Sequence, residues 1–90
     1  MGKEVVLFKS EERKSRSDLS EFLHQLADKI SKDEVILRQD NQEITLQIPQ
    51  NLVIEIKVED ENKGDKGIQH SLEVEIKWFN GEQGGSLELG

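Results

Sequence analysis

The feature that most constrains the fold of this chain is a regular alternation between Leu72 and Trp78, where the sequence reads Leu-Glu-Val-Glu-Ile-Lys-Trp. Successive side chains of a β-strand point to opposite faces, so this segment has one apolar face and one charged face. The pattern predicts a strand that is covered on one side and exposed to water on the other. No catalytic motif accompanies it, so the segment indicates architecture rather than activity.

Length, composition and charge limit the remaining choices. The chain has 90 residues, which fits a single domain, and its 33% hydrophobic and 34% charged residues indicate a small core. A net charge of −7 disfavours binding to phosphate backbones and to anionic lipid, so we expect neither nucleic acid nor a membrane as a partner. The sequence contains no cysteine, which excludes disulfides, thiolate nucleophiles and cysteine metal sites.

The N-terminal segment does not have the pattern of a targeting sequence. Its apolar run, Val5–Phe8, has four residues, whereas a signal peptide needs an apolar stretch of about 7 or more and a membrane-spanning helix about 20. We therefore expect a cytoplasmic protein.

The first third of the chain predicts a strand and then a helix. Lys3–Lys9 is rich in β-branched and aromatic residues, which favours a strand. Ser15 and Asp18 have the spacing of a helix N-cap. Apolar residues at helical spacing follow, which predicts a helix over about residues 16–31 with one apolar stripe. The stripe consists of Leu19, Phe22, Leu23, Leu26 and Ile30.

The rest of the chain alternates with a period of two, in Val35–Arg38, Glu43–Ile48, Leu52–Glu59 and about Gln69–Phe79. Turn residues at Asp40-Asn41 and at Pro49 predict tight connections, and therefore antiparallel neighbours. We predict an α+β fold of order β-α-β-β-β-β, in which one amphipathic helix packs on one face of a mainly antiparallel five-stranded sheet. Residues 3–79 are expected to form this single domain, and residues 80–90 a flexible C-terminal tail.

Several of these segments together resemble a known family. The segments are Glu4–Glu12, the helical Phe22-Leu23 and Leu26–Ile30, the stop at Ile48-Pro49, and the strand Leu72–Trp78. Their order and spacing over residues 3–79 are similar to the amphi-Trp domain, a small prokaryotic family named for its amphipathic strand ending in tryptophan. The resemblance implies relatives of the same architecture. It brings no activity, cofactor or catalytic residue with it.

The titratable residues have simple structural interpretations. His24 has Asp28 one helical turn further on, which is the spacing of an exposed ion pair as well as of an acid/base pair. His70 precedes the last strand and is expected at the edge of the sheet. The glutamates of the charged strand faces alternate with lysines, which predicts cross-strand ion pairs. The loop Asp60–Asp65 fails the calcium-loop pattern because its glycine is misplaced. We therefore predict no catalytic residue, no metal site and no cofactor.

One group of residues indicates a ligand site. A basic cluster lies just before or at the N-terminus of the predicted helix, where backbone N–H groups and the helix dipole favour an anion. It consists of Lys9, Arg13, Lys14 and Arg16, of which Arg13, Lys14 and Arg16 are the predicted ligand residues. Trp78 offers a ring for stacking, although its place in an apolar row is more typical of a core residue. The structural alternative for the cluster is a solvated connection that nearby glutamates partly neutralise.

The favoured interpretation is a small, non-catalytic interaction module that acts by self-association or by pairing a strand edge with a partner. We expect a homodimer or another protein as the partner, because a one-sided sheet with a free edge suits both. The alternative is a small-anion or small-ligand binding protein that uses the basic cluster.

Overall fold

The computed structural model describes residues 2–80, so the tail expected at 80–90 lies, except for its first residue, outside the described residues. The chain divides into two units, Met1–Ile48 and Pro49–Gly90. The elements in chain order are α1 (Arg16–Ser31), β1 (Glu34–Gln39), β2 (Gln42–Gln47), β3 (Val53–Asn62), a short 3-10 helix (Gly64–Lys66) and β4 (Ile68–Lys77). The predicted α+β class is confirmed.

Helix α1 begins where the capping pattern predicts. The Ser15 side chain accepts a hydrogen bond from the backbone N–H of Asp18 at 3.1 Å, which satisfies one of the unpaired donors of the first turn. After the helix, Asp33 adopts a positive φ of 65° and turns the chain into β1. The predicted helix over about residues 16–31 is therefore confirmed.

Strands β1 and β2 form an antiparallel hairpin that packs against the helix. Gln39 pairs with Gln42, so the turn consists of Asp40-Asn41 as predicted, with Asp40 at a positive φ of 54°. Within residues 2–80, two residues are buried: Val35 of β1, which is 4% exposed, and Pro49 after β2. The core of this unit is therefore small.

The predicted first strand is wrong, since Lys3–Lys9 is irregular. The backbone of Lys9 is hydrogen-bonded to the side chain of Gln42 in the hairpin. The Gln42 amide oxygen accepts from the Lys9 N–H at 3.3 Å, and the amide nitrogen donates to the Lys9 carbonyl at 3.1 Å. Val5 and Val6 are 75% and 72% exposed. A β-strand requires backbone hydrogen bonds to a neighbouring strand, and here the partner of the Lys9 backbone is a side-chain amide instead.

Strands β3 and β4 form a second antiparallel hairpin, with ten residues in each strand. The register runs from Val53 opposite Lys77 to Asn62 opposite Ile68. Gly64 and Gly67 have positive φ values of 70° and 92° in the connection, a conformation that glycine adopts without steric cost.

The predicted five-stranded sheet is wrong. Within residues 2–80 the four strands form two separate two-stranded sheets, β1–β2 and β3–β4. The expected burial of the apolar rows also fails, because Leu23 is 50% exposed and Ile54 and Ile56 are each 63% exposed. Alternation determines which residues share a face of a strand, but it does not determine which strand lies beside it.

Candidate functional site

The main candidate for a functional surface is one face of the β3–β4 hairpin. Three pairs of aliphatic residues lie directly opposite one another on this face, which we call the apolar face: Ile54 and Ile76, Ile56 and Val74, Val58 and Leu72. The alternation of the sequence places them on one side, and the antiparallel register brings them side by side. The apolar face therefore forms one continuous aliphatic surface.

This surface is open to solvent. The exposed fractions are 63% for Ile54 and for Ile56, 72% for Val58, 69% for Leu72 and 58% for Val74. Ile76 has intermediate exposure. A contiguous apolar patch on so polar a chain is typical of a surface that contacts another molecule, and an isolated two-stranded hairpin has little stability of its own in water.

A polar pair borders the apolar face on the side of the loop. Asp60 lies directly opposite His70, in the same side-chain rows as the aliphatic pairs, and His70 Nδ1 lies 2.6 Å from Asp60 Oδ1. Because a carboxylate can only accept, the histidine nitrogen is the donor. The sequence predicted His70 as an edge residue, but its pairing with Asp60 depends on the register, which the sequence pattern did not determine.

Trp78 lies just beyond the other end of the apolar face. It has intermediate exposure and lines a cavity of about 360 Å³ together with Val53, Lys77 and Phe79. The lining is an aromatic and aliphatic wall with one ammonium group. Val53 and Lys77 are opposed residues in the side-chain rows of the other face, so this cavity lies at the end of the hairpin rather than on the apolar face.

The opposite face of the hairpin is charged. Glu55 and Glu75 are directly opposed, and the Lys77 ammonium donates to Glu55 Oε1 at 2.8 Å. This contact lowers the pKa of the Glu55 carboxyl, chiefly through the hydrogen bond and then through the charge of Lys77, and it raises the pKa of Lys77 in return. The charged face is therefore solvated and internally paired, in line with the predicted Glu–Lys contacts.

The basic cluster lies in the first unit and its members point to different surroundings. The Lys14 ammonium forms an ion pair with Glu12 at 2.8 Å, which lowers the pKa of the Glu12 carboxyl through a hydrogen bond and charge. Lys14 lines a cavity with Phe8, whereas Arg16 lines another along the helix with His24. Arg13 is exposed. Trp78, the fourth predicted site residue, belongs to the second unit.

No three histidine or acidic side chains within residues 2–80 converge in a way that could hold a metal ion. In the same range, no helix is long and apolar enough to cross a membrane.

Comparisons with known proteins agree with the pattern of the amphipathic strand. No curated protein and no solved structure proved significantly similar to the chain. The family model of the Amphi-Trp domain, in contrast, matches residues 1–90. Since this match spans the whole sequence, the chain belongs to the Amphi-Trp domain family.

Proposed function

We propose that this protein is a non-catalytic association module, and that it associates with a second copy of itself through the apolar face of β3–β4. The observation that carries the proposal is the set of three directly opposed aliphatic pairs, five of whose six side chains are 58–72% exposed. Water around such a surface is released when the surface is covered, which favours association. A twofold dimer covers it with the same surface from the partner.

The area of the apolar face is sufficient for a weak dimer. At about 25 cal/mol per Å² and about 1.5–3 kcal/mol for a fully buried aliphatic side chain, each side chain covers roughly 60–120 Å². Five side chains that are about two-thirds exposed offer roughly 200–400 Å² per copy, and two copies roughly 400–800 Å². Because homodimer interfaces are about 65% apolar, the total is roughly 600–1,200 Å², which is the size of a weak or transient interface and reaches the range of stable complexes only at its upper bound. We expect a reversible dimer whose population depends on concentration.

Chemistry also favours a second copy as the occupant. The three aliphatic pairs carry no polar side-chain atom, so burying them leaves no side-chain hydrogen bond unsatisfied. Apart from Asp60 and His70 near the loop, the charged groups of the two strands lie on the opposite face and stay in water. The net charge of −7 opposes association of two copies, and added salt screens that repulsion. The dimer should therefore become more stable as the ionic strength rises.

Pairing of a partner strand with the hairpin edge is the second mode of association that the fold supports. Within the described residues, β3 and β4 each pair on one side only, and an exposed edge presents backbone donors and acceptors to another strand. This mode differs from the first because it uses backbone groups rather than the aliphatic side chains.

Sedimentation of matched variants across a wide range of concentrations tests the proposal. Ile56→Ser with Val74→Ser removes the central aliphatic pair, whereas Lys57→Ser with Glu73→Ser changes the adjacent opposed pair on the charged face. We expect the wild type and the control to form dimers and the aliphatic variant to stay monomeric. Circular dichroism checks that each variant keeps its secondary structure.

Two results would contradict this reading. A wild-type chain that stays monomeric at the highest concentration would exclude self-association. Dimers that survive in the aliphatic variant would move the interface away from the apolar face, and the strand edge would then be the surface to test.

A further inference from the structure

We infer that the two copies pack in one particular orientation, with both β3–β4 loops at the same end and Asp60 of each copy against the partner's His70. This inference rests on the proposed self-association through the apolar face. It goes further because it assigns a role to a polar pair and defines the geometry of the dimer.

The register divides this face of the hairpin into five layers. Three layers are the aliphatic pairs of the apolar face, the fourth is the pair of Asp60 and His70, which lies next to Val58 and Leu72, and the fifth is Asn62 opposite Ile68, next to the loop. Both polar side chains are open to the solvent, with side-chain exposures of 63% for Asp60 and 75% for His70. Counted from the end remote from the loop, the surface is thus aliphatic over three layers and charged in the fourth.

Two twofold arrangements bring such surfaces face to face. If the axis runs along the strands, the loops lie at the same end, and β4 of one copy lies over β3 of the other. If the axis runs across the strands, the loops lie at opposite ends, and β3 lies over β3. Sheets packed face to face are about 10 Å apart in either case.

Charge and burial separate the two arrangements. With the loops at the same end, each layer packs on the same layer of the partner, so that aliphatic pairs contact aliphatic pairs and Asp60 contacts the partner's His70. With the loops at opposite ends, the order of the layers is reversed in the partner, so Asp60 and His70 are placed over an aliphatic pair, where a polar group loses water without gaining a partner. The same-end arrangement is therefore favoured.

The polar layer has the right groups for this contact. His70 Nδ1 donates to Asp60 within its own hairpin, and Nε2 is the second nitrogen of the same ring. A protonated ring donates from both nitrogens, so Nε2 is the atom we assign to the partner's Asp60. With both rings protonated, two copies then form a ring of two carboxylates and two imidazolium groups in alternation. Such a ring fixes the register of the dimer more than it adds affinity.

Distances between spin labels on the intact chain test the orientation, and the absence of cysteine makes single labels unambiguous. A label at Lys66→Cys lies in the hairpin connection, whereas a label at Lys57→Cys lies near the middle of β3. A ten-residue strand is roughly 33 Å long. Pulsed electron resonance should place the Lys66 labels near one another in the same-end dimer. In the opposite-end dimer the labels are displaced by about one strand length, roughly 33 Å, along the hairpin, and the distance between them should be more than roughly 30 Å. The Lys57 labels should give nearly the same distance in both.

A charge exchange provides an independent readout. His70→Asp brings four carboxylates together in the polar layer and should weaken the dimer about tenfold or more. Gln69→Asp adds the same charge one residue away on the opposite face and should weaken it much less. The double variant Asp60→His with His70→Asp restores the alternation and should recover dimerisation.

Each outcome decides one of the two claims. A short Lys66 distance with recovery in the double variant supports the orientation. A long Lys66 distance with the usual Lys57 distance overturns the orientation and leaves the proposed dimer in place. Monomers with no distance at either label overturn both.

Discussion

Replacement of Val35 by alanine tests the assignment of the core in the first unit. Val35 is 4% exposed and lies on β1, which packs against the helix. The change removes the equivalent of two methylene groups, at about 0.8 kcal/mol each, so the lost transfer free energy is about 1.6 kcal/mol. An unfilled cavity of roughly 50 Å³ would add about 1.2 kcal/mol. We therefore expect the free energy of unfolding to fall by about 1.6 to 3 kcal/mol.

A matched deletion elsewhere in the same unit serves as the control. Val6→Ala removes the same atoms from a side chain that is 72% exposed, so the loss should stay below about 0.5 kcal/mol. Urea unfolding followed by the helical circular dichroism signal measures both variants, at a concentration below that of association. Linear extrapolation then gives the free energy of unfolding. An equal decrease in the free energy of unfolding for the two variants would refute the reasoning, because burial of the side chain would then not determine the loss of stability.

Two further predictions concern charge. The pKa of Glu55 is lowered by Lys77, so the contact stabilises the hairpin above the ordinary glutamate pKa of 4.5 and this contribution is lost as the pH falls through the lower folded value. We expect Lys77→Gln to weaken the loss of stability at acid pH, measured as unfolding followed by Trp78 fluorescence across the acid range. Lys66→Gln should leave this pH dependence unchanged. The same acid dependence in both variants would contradict the prediction. If the alternative function as an anion-binding protein holds, phosphate should shift the backbone amide signals of residues 15–18. Arg13→Glu with Arg16→Glu should abolish those shifts and Lys63→Glu with Lys66→Glu should preserve them, whereas shifts spread evenly over the surface would remove the anion site.

The local elements of this protein follow from its sequence. Ser15 and the apolar stripe predicted the helix because capping and helical spacing involve residues within one or two turns. Asp40 predicted its turn because an aspartate tolerates a positive φ. The alternation from Leu72 to Trp78 predicted the two faces of β4, and the apolar one carries the proposed interface. The full-length match to the Amphi-Trp domain family agrees with the resemblance found from these same segments.

The pairing of these elements was decided by the tertiary structure. Lys3–Lys9 has the composition of a strand, yet the backbone of Lys9 is hydrogen-bonded to the side-chain amide of Gln42, which lies 33 residues further along the chain. Asp60 meets His70 because the hairpin register places them opposite one another. A hydrophobic pattern reports which residues of one segment share a face. The neighbour of that face depends on contacts between distant residues, and a strand carries the same alternation whichever neighbour it pairs with.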